Sequence, residues 1–236
     1  MSVNEAMRPT ITLILPFYLQ QDHMQSVIDD FKKSLDAFGK PYEIIIVDNG
    51  VAHLPVEDRE RVVSENPRIV HGELKKKGWG HGIRWAIKRA RGTYVCYTNS
   101  ARTHGPDVMN LFRYALLSED AIVKASRPER VRARRWVSIC FNMLNRILLS
   151  TPAWDINASP KIIPKKILDK LTLVTEDELF DAELLYEAFK HHVPIVEVPF
   201  LKWERKSGES TTNWMTAVRL FVGVCRLYVK DFRKSV

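Results

Sequence analysis

The side chains of this chain that are able to do chemistry gather where strand-like runs stop. Tyr42–Val47 is a β-branched run that ends in Asp48-Asn49-Gly50. An aspartate at such a strand end can accept hydrogen bonds from a ligand, or it can simply order the turn. Thr93–Thr98 runs in the same way into Asn99-Ser100-Ala101. A hard divalent cation wants anionic oxygen ligands, and this loop offers a neutral carbonyl at Asn99 and no donor side chain at Ala101. Lys75-Lys76-Lys77 precedes the glycine-punctuated Gly78, Gly80 and Gly82. Such glycines permit close backbone approach at a helix entry, and the lysines can approach a pyrophosphate, although a lysine run is also ordinary solvated surface.

The elements that must position these groups alternate. Thr10–Pro16 and Tyr42–Val47 read as buried parallel strands, with Val27, Ile28, Phe31, Leu35 and Phe38 at helical spacing between them and Gly39 as the stop. Strand, helix, strand implies a right-handed crossover, with ligands at the strands' carboxyl ends. A short strand at Arg68–His71, a helix from Gly78 to Arg91 and the strand Thr93–Thr98 continue the series. A helix over Val108–Leu117, a strand over Ala121–Ala125, a basic loop from Arg127 to Arg135 and an amphipathic helix over Trp136–Leu149 follow. Ile162–Leu171 is expected to be a small helix, Phe180–His191 another, and Ile195–Trp203 a late strand. Asn213–Lys234 reads as a helix with a broad apolar face (Trp214, Val218, Phe221, Val222, Cys225, Tyr228, Val229, Phe232) and a basic side (Arg219, Arg226, Lys230, Arg233). It suits an anionic bilayer surface, or packing on its own domain or another subunit.

The chain has 236 residues, 36 Lys and Arg against 28 Asp and Glu, and a formal net charge of +8. That length supports one sizeable α/β domain with a small appendage, and the charge favours polyanionic partners such as nucleotide phosphates or phospholipid headgroups. Nucleic acid is not an expected partner, because no reader motif or interleaved basic and aromatic run is present. Cys96, Cys140 and Cys225 have no metal-ligand spacing and are expected to be buried thiols in a reducing compartment. No apolar run reaches the roughly 18–20 residues that span a bilayer, so a cytoplasmic protein, peripheral on the cytosolic face of a membrane, is expected.

In order, these landmarks resemble the inverting family-2 glycosyltransferases of GT-A fold, above all the dolichyl- and polyprenyl-phosphate branch. Ile14-Leu15-Pro16-Phe17-Tyr18 is similar to the family's opening Val-Ile-Pro-Val-Tyr, and Tyr42–Gly50 to its Tyr-Glu-Ile-Ile-Val-Val-Asp-Asp-Gly. Lys77-Gly78-Trp79-Gly80 through Arg84, and Ala90-Arg91-Gly92-Thr93-Tyr94-Val95, match two further motifs. Asp155 and Lys161 match the charged ends of Asp-Thr-Gln-Cys-Gly-Phe-Lys, and Phe180-Asp181-Ala182-Glu183-Leu184-Leu185 is similar to Phe-Asp-Val-Glu-Leu-Leu. The resemblance implies a mostly parallel central sheet flanked by helices. It divides the chain into an N-terminal tail at 1–9, a glycosyltransferase domain at 10–212 (donor half to about 107) and a C-terminal basic helix at 213–236.

It also implies roles. Pro16, Tyr18, Asp48, Gly78, Asn99 and Ala101 fall at donor positions, with Asp48 accepting from the base or ribose. Arg127, Arg135, Lys161, Arg205 and Ser210 fall at an acceptor-phosphate cradle, where guanidinium forks give bidentate contacts; a basic surface loop is the plainer alternative. Asp155, Asp181 and Glu183 would line the cavity as catalytic carboxylates, or serve as salt-bridge partners of the basic groups. The implied partners are a nucleotide-sugar donor, a polyprenyl-phosphate or other phosphorylated acceptor, an anionic membrane surface and a membrane subunit or second copy. The pattern departs at Leu19-Gln20, Asn49, Thr211 and Asn99-Ser100-Ala101, where the family carries Asp-x-Asp. His104 and Asp107 lie near but off the motif positions, so no cofactor is certain, magnesium or manganese dependence is expected to be weakened or lost, and a catalytically inactive binding or scaffold homologue is the alternative.

Overall fold

A computed structural model describes residues 9–17, 24–49, 69–99, 103–127, 132–200 and 214–235. Its strands are β1 (Ile11–Phe17), β2 (Tyr42–Asn49), β3 (Ile69–Leu74), β4 (Tyr94–Tyr97), β5 (Ile122–Ser126), β6 (Lys161–Pro164) and β7 (Ile195–Pro199). The helices are α1 (Met24–Phe38), α2 (Trp79–Ile87), α3 (Gly105–Leu117), α4 (Arg132–Leu149), α5 (Lys165–Leu168), α6 (Phe180–Lys190) and α7 (Trp214–Ser235). The strands form one sheet in the order β3-β2-β1-β4-β6-β5-β7. β1 runs parallel to β2 and β4, β2 to β3, and β5 to β7, whereas β6 runs antiparallel to both its neighbours.

β1 and β2 are buried along their whole length, as runs rich in Ile, Leu and Val must be when helices cover both faces. Side-chain alternation sends Ile44 and Ile46 to a core with α1 and α3, around Phe31 and Phe112. Ile45 and Val47 go to the opposite core, shared with Ile83 of α2, Phe141 of α4, Phe180 of α6 and Val224 of α7. Each fully buried Ile or Phe contributes roughly 1.5–3 kcal/mol.

Three expectations are corrected. Lys161–Pro164 is a strand, and the helix after it is the short Lys165–Leu168. Ile162 and Ile163 are wholly buried, and pairing with β4 and β5 fixes them in extended form, a long-range effect that the three residues between Pro160 and Pro164 do not announce. The segment expected to be a basic loop up to Arg135 is helical from Arg132. Only Cys96 is buried; Cys140 and Cys225 are exposed on α4 and α7.

The inner face of α7 packs on this chain. Val224 is buried, and Phe221 meets Phe141 of α4 edge-on with ring centroids 6.0 Å apart.

Candidate active site

The carboxyl ends of the parallel strands and the start of antiparallel β6 lie along one edge of the sheet. Phe17 pairs with Asp48, so Pro16 and Asp48 lie together at the ends of β1 and β2. Tyr97 pairs with Lys161, which puts Asn99, just past β4, near the beginning of β6. Arg127 directly follows β5. Tyr18, Ala101, Arg205 and Ser210 lie outside the described residues, as does the side chain of Arg135, whose backbone is in α4.

At the donor end, adjacent residues of β2 face opposite ways. Asp48 is buried, and His71 Nε2 of β3 lies 2.9 Å from its Oδ2, with the imidazole N–H donating to the carboxylate. Asn49 grips the entry of α2: its Nδ2 donates to the Gly78 carbonyl at 2.9 Å and its Oδ1 accepts the Gly78 N–H at 3.0 Å.

The glycines of this turn serve the chain itself. A Cβ at Gly78 would come within 2.4 Å of the Glu176 carbonyl oxygen, and one at Gly80 within 2.6 Å of the Thr175 carbonyl oxygen. Gly80 N–H and His81 N–H donate to the carbonyls of Asp177 and Glu176 at 3.1 and 2.8 Å. The Lys76 ammonium pairs with the Glu176 carboxylate, so one lysine of the run is tied to the same segment.

At the acceptor end, Asp155 adopts φ 49° and takes three donors from Arg127: the backbone N–H at 3.0 Å, Nε at 2.7 Å and Nη2 at 2.6 Å. This bidentate fork fixes the plane of the guanidinium. Asp181, the second residue of α6, is the centre of a buried hub. Its Oδ1 accepts from Tyr97 Oη at 2.7 Å and Lys161 Nζ at 2.5 Å, and its Oδ2 accepts from Trp79 Nε1 at 3.0 Å. Lys161 Nζ also donates to the Ala158 carbonyl at 2.6 Å. Burial pushes the Lys161 ammonium below its ordinary pKa against the pull of Asp181, and burial followed by the Asp181 charge raises the Tyr97 phenol. Glu183 accepts the N–H groups of Val174 and Thr175 at 3.0 and 2.8 Å, holding the loop that presses on Gly78 and Gly80.

Thus Asp155 and Asp181 partner basic groups, and Glu183 holds backbone. Lys161 is wholly buried and committed to Asp181. Sequence reasoning passed over His71, Trp79, Tyr97, Lys124 and Glu197. Lys124 and Glu197 carried a local signal, each as a charge inside an apolar run, Ala121–Ala125 and Ile195–Pro199.

Among the described residues no group of three His, Cys, Asp or Glu is placed to hold a metal ion. Asn99 brings only an amide to the end of β4, a donor set that does not fit a hard divalent cation. What the edge does offer is a row of strand ends with a buried carboxylate, Asp48, at one side and a fixed guanidinium, Arg127, at the other.

Comparison with known proteins bears on this geometry. The family described as Glycosyl transferase family 2 matches residues 12–171. A dolichyl-phosphate beta-glucosyltransferase of Dictyostelium discoideum is 25% identical over 242 residues, covering 92% of this chain and 73% of the relative. An undecaprenyl-phosphate 4-deoxy-4-formamido-L-arabinose transferase of Pectobacterium carotovorum is 21% identical, covering 89% of this chain, which spans 64% of that protein's length. Among solved structures, glucosyl-3-phosphoglycerate synthase from Mycobacterium tuberculosis in complex with Mn2+, UDP and glucosyl-3-phosphoglycerate superposes with a TM-score of 0.71 at 18% identity, covering 93% of this chain and 80% of that one. The same synthase with Mn2+, UDP-glucose and glycerol 3-phosphate gives 0.72 at 16% identity, covering 97% and 84%. The structural likeness establishes the expected GT-A fold.

Proposed function

The chain belongs to glycosyl transferase family 2, and from that premise we propose that it transfers a sugar from a nucleotide-diphosphate sugar to a polyprenyl phosphate, with inversion and without the usual divalent cation. The observation that carries this is the Arg127 fork, set by Asp155 on the same sheet edge as Asp48. A guanidinium held in plane suits a phosphate monoester. The acceptor's phosphate oxygen is already an anion, so it attacks the sugar's anomeric carbon without a strong general base. The new carbon–oxygen bond forms as the bond to the nucleoside diphosphate breaks, and the departing diphosphate takes the electron pair.

Charge on that leaving group is the quantity to be stabilised. Lysines of the 75–77 run are the candidates for this, in place of a cation at Asn99. Asp48 accepts from the donor's base or ribose, with its other side fixed by His71. Asp155, Asp181 and Glu183 act by positioning Arg127, the hub at Lys161 and the turn at Gly78.

We also propose peripheral contact with an anionic membrane, through α4 and α7. Met215, Val218, Val222 and Val229 stay exposed on α7 although Thr216 and Val224 are buried, and Trp136, Met143 and Ile147 stay exposed on α4 although Phe141 and Leu149 are buried. Along α4 the charged residues are Arg132, Arg134, Arg135 and Arg146; along α7 they are Arg219, Arg226, Lys230, Arg233 and Lys234, opposed by Asp231. Exposed apolar stripes on helices of this basic composition match an anionic bilayer surface. No helix among the described residues is long and apolar enough to cross a membrane.

Calorimetry and turnover against a panel of nucleotide sugars, with manganese, magnesium or chelator, test the proposal. Binding and transfer that persist in chelator support it. Absence of nucleotide binding under every condition refutes the donor assignment, and binding without turnover selects a scaffold role. The variant Asn99→Asp/Ala101→Asp should acquire a metal response that the native chain lacks.

A further inference from the structure

Trp154 leaves its indole half exposed, at 51%, on a main chain that is firmly pegged. Its N–H donates to Glu197 Oε2 at 3.1 Å and its carbonyl accepts from Lys124 Nζ at 2.8 Å. Lys124 and Glu197 are a cross-strand pair of β5 and β7, bridged at 2.5 Å, and the Lys124 side chain is wholly buried. The Arg146 guanidinium of α4 lies over the indole, 4.3 Å from the ring centroid, and donates to the Pro152 carbonyl at 3.1 Å. Single exposed apolar residues are ordinary. A buried lysine spent on fixing the peptide groups either side of one is not, because burying a charge is costly even when it is paired. The next residue along is Asp155, which aims Arg127.

We propose that Trp154, backed by Arg146, is a subsite for the apolar part of the acceptor immediately beyond its phosphate, taking the first isoprene unit flat against the indole. This rests on the assignment of Arg127 to the acceptor phosphate. The sheet order separates β5 from β2 by four strand steps, about 19 Å at about 4.8 Å each. Trp154 therefore stands at the acceptor end, away from Asp48 and the donor's base. An isoprene unit is planar at its double bond and has no polar group to satisfy, so an indole face suits it. The stacked guanidinium keeps positive charge beside the phosphate that precedes it.

Calorimetry with the full chain, using geranyl phosphate below its micellar concentration and glycerol 3-phosphate as probes, tests the subsite. The native protein should bind geranyl phosphate about tenfold tighter, the scale expected for covering a half-exposed aromatic face. Trp154→Ala and Trp154→Gln should bring geranyl phosphate down to the affinity of glycerol 3-phosphate, and Trp154→Phe should keep most of the preference. A preference that survives in the Ala and Gln variants overturns the subsite while leaving the phosphate assignment standing. Equal binding of both probes by the native protein overturns it too. Binding of neither probe removes the phosphate assignment, and the subsite with it.

Discussion

One side chain, Asn49, holds both peptide groups of Gly78, donating to its carbonyl at 2.9 Å and accepting its N–H at 3.0 Å. An amide supplies both roles; a carboxylate supplies acceptors alone. Asn49→Asp returns the residue that the family pattern carries, yet it should destabilise the protein. The Gly78 carbonyl would lose its donor and face a negative oxygen, a loss of about 1–3 kcal/mol for a buried group. Urea denaturation at neutral pH measures this, and the deficit should shrink in acid as the new carboxyl regains a proton to donate. Equal stability of variant and native chain at neutral pH would show that the clamp carries no weight.

The hub at Asp181 makes a second, larger prediction. Its carboxylate satisfies a buried ammonium, a phenol and an indole at once. Asp181→Asn leaves Lys161 charged and poorly compensated, which should cost about 3–5 kcal/mol. Lys161→Met alone should also destabilise, and the double variant should lose less than the two single losses combined, because the second change removes a charge the first had orphaned. Thermal melts of the four proteins complete the cycle, and additive losses would contradict a shared hub.

The strands and most helices of this fold are legible because each core run is locally consistent. Ile11–Phe17 and Tyr42–Asn49 have no competing pattern, and they are buried along their length as expected. Contacts made across long sequence separations are not legible. β6 owes its extended form to strands remote in the chain, and the partner of the Tyr97 hydroxyl lies 84 residues away. Motif resemblance marks positions without separating binding from architecture. Ala90-Arg91-Gly92 sits at the amino ends of the strands, opposite the edge that carries Asp48 and Arg127, where Arg91 Nε donates to Glu43 at 2.8 Å and Gly92 N–H donates to Thr12 Oγ1 at 2.9 Å. It is a latch on the sheet. Carboxylates at Asp155 and Asp181 look alike in sequence to catalytic acids, and only the fold shows that each is already engaged by a cation.

Lys124 sets a pH dependence of known sign. Burial brings its ammonium down to about 8 from 10.5, with Glu197 opposing the shift. Between those two values the unfolded chain binds more protons than the folded one, so stability rises with pH across that window; the full penalty applies below it and vanishes above it. Burial lowers Lys161 in the same direction, and the raised phenol of Tyr97 acts in the opposite sense at the alkaline end. Lys124→Met isolates one lysine from these others. The native chain should gain on the variant by up to about 1.4 kcal/mol per pH unit as pH passes from 8 towards 10, measured by urea denaturation at closely spaced pH values. Parallel curves for the two proteins would show that Lys124 is not a buried charge.

Val222 separates membrane docking from folding. It is exposed on α7, while Val224 two residues on is buried and Phe221 packs on Phe141. At 100° per residue, Met215, Val218, Val222 and Val229 cluster on one side of the helix, opposite Thr216 and Val224. A helix used only for packing on its own chain has no reason to repeat apolar residues on the far side. Val222→Glu should leave the melting temperature nearly unchanged, since the side chain gives up little buried area, yet it places a carboxylate where an anionic headgroup layer would lie. Flotation with vesicles rich in phosphatidylglycerol should recover the native chain and lose most of the variant. Raising salt should weaken the native interaction without abolishing it, because screening acts on Arg219 and Arg226 and leaves the apolar stripe intact. If variant and native chain float alike, α7 is not the docking element, and the exposed stripe of Trp136, Met143 and Ile147 on α4 must carry the contact instead.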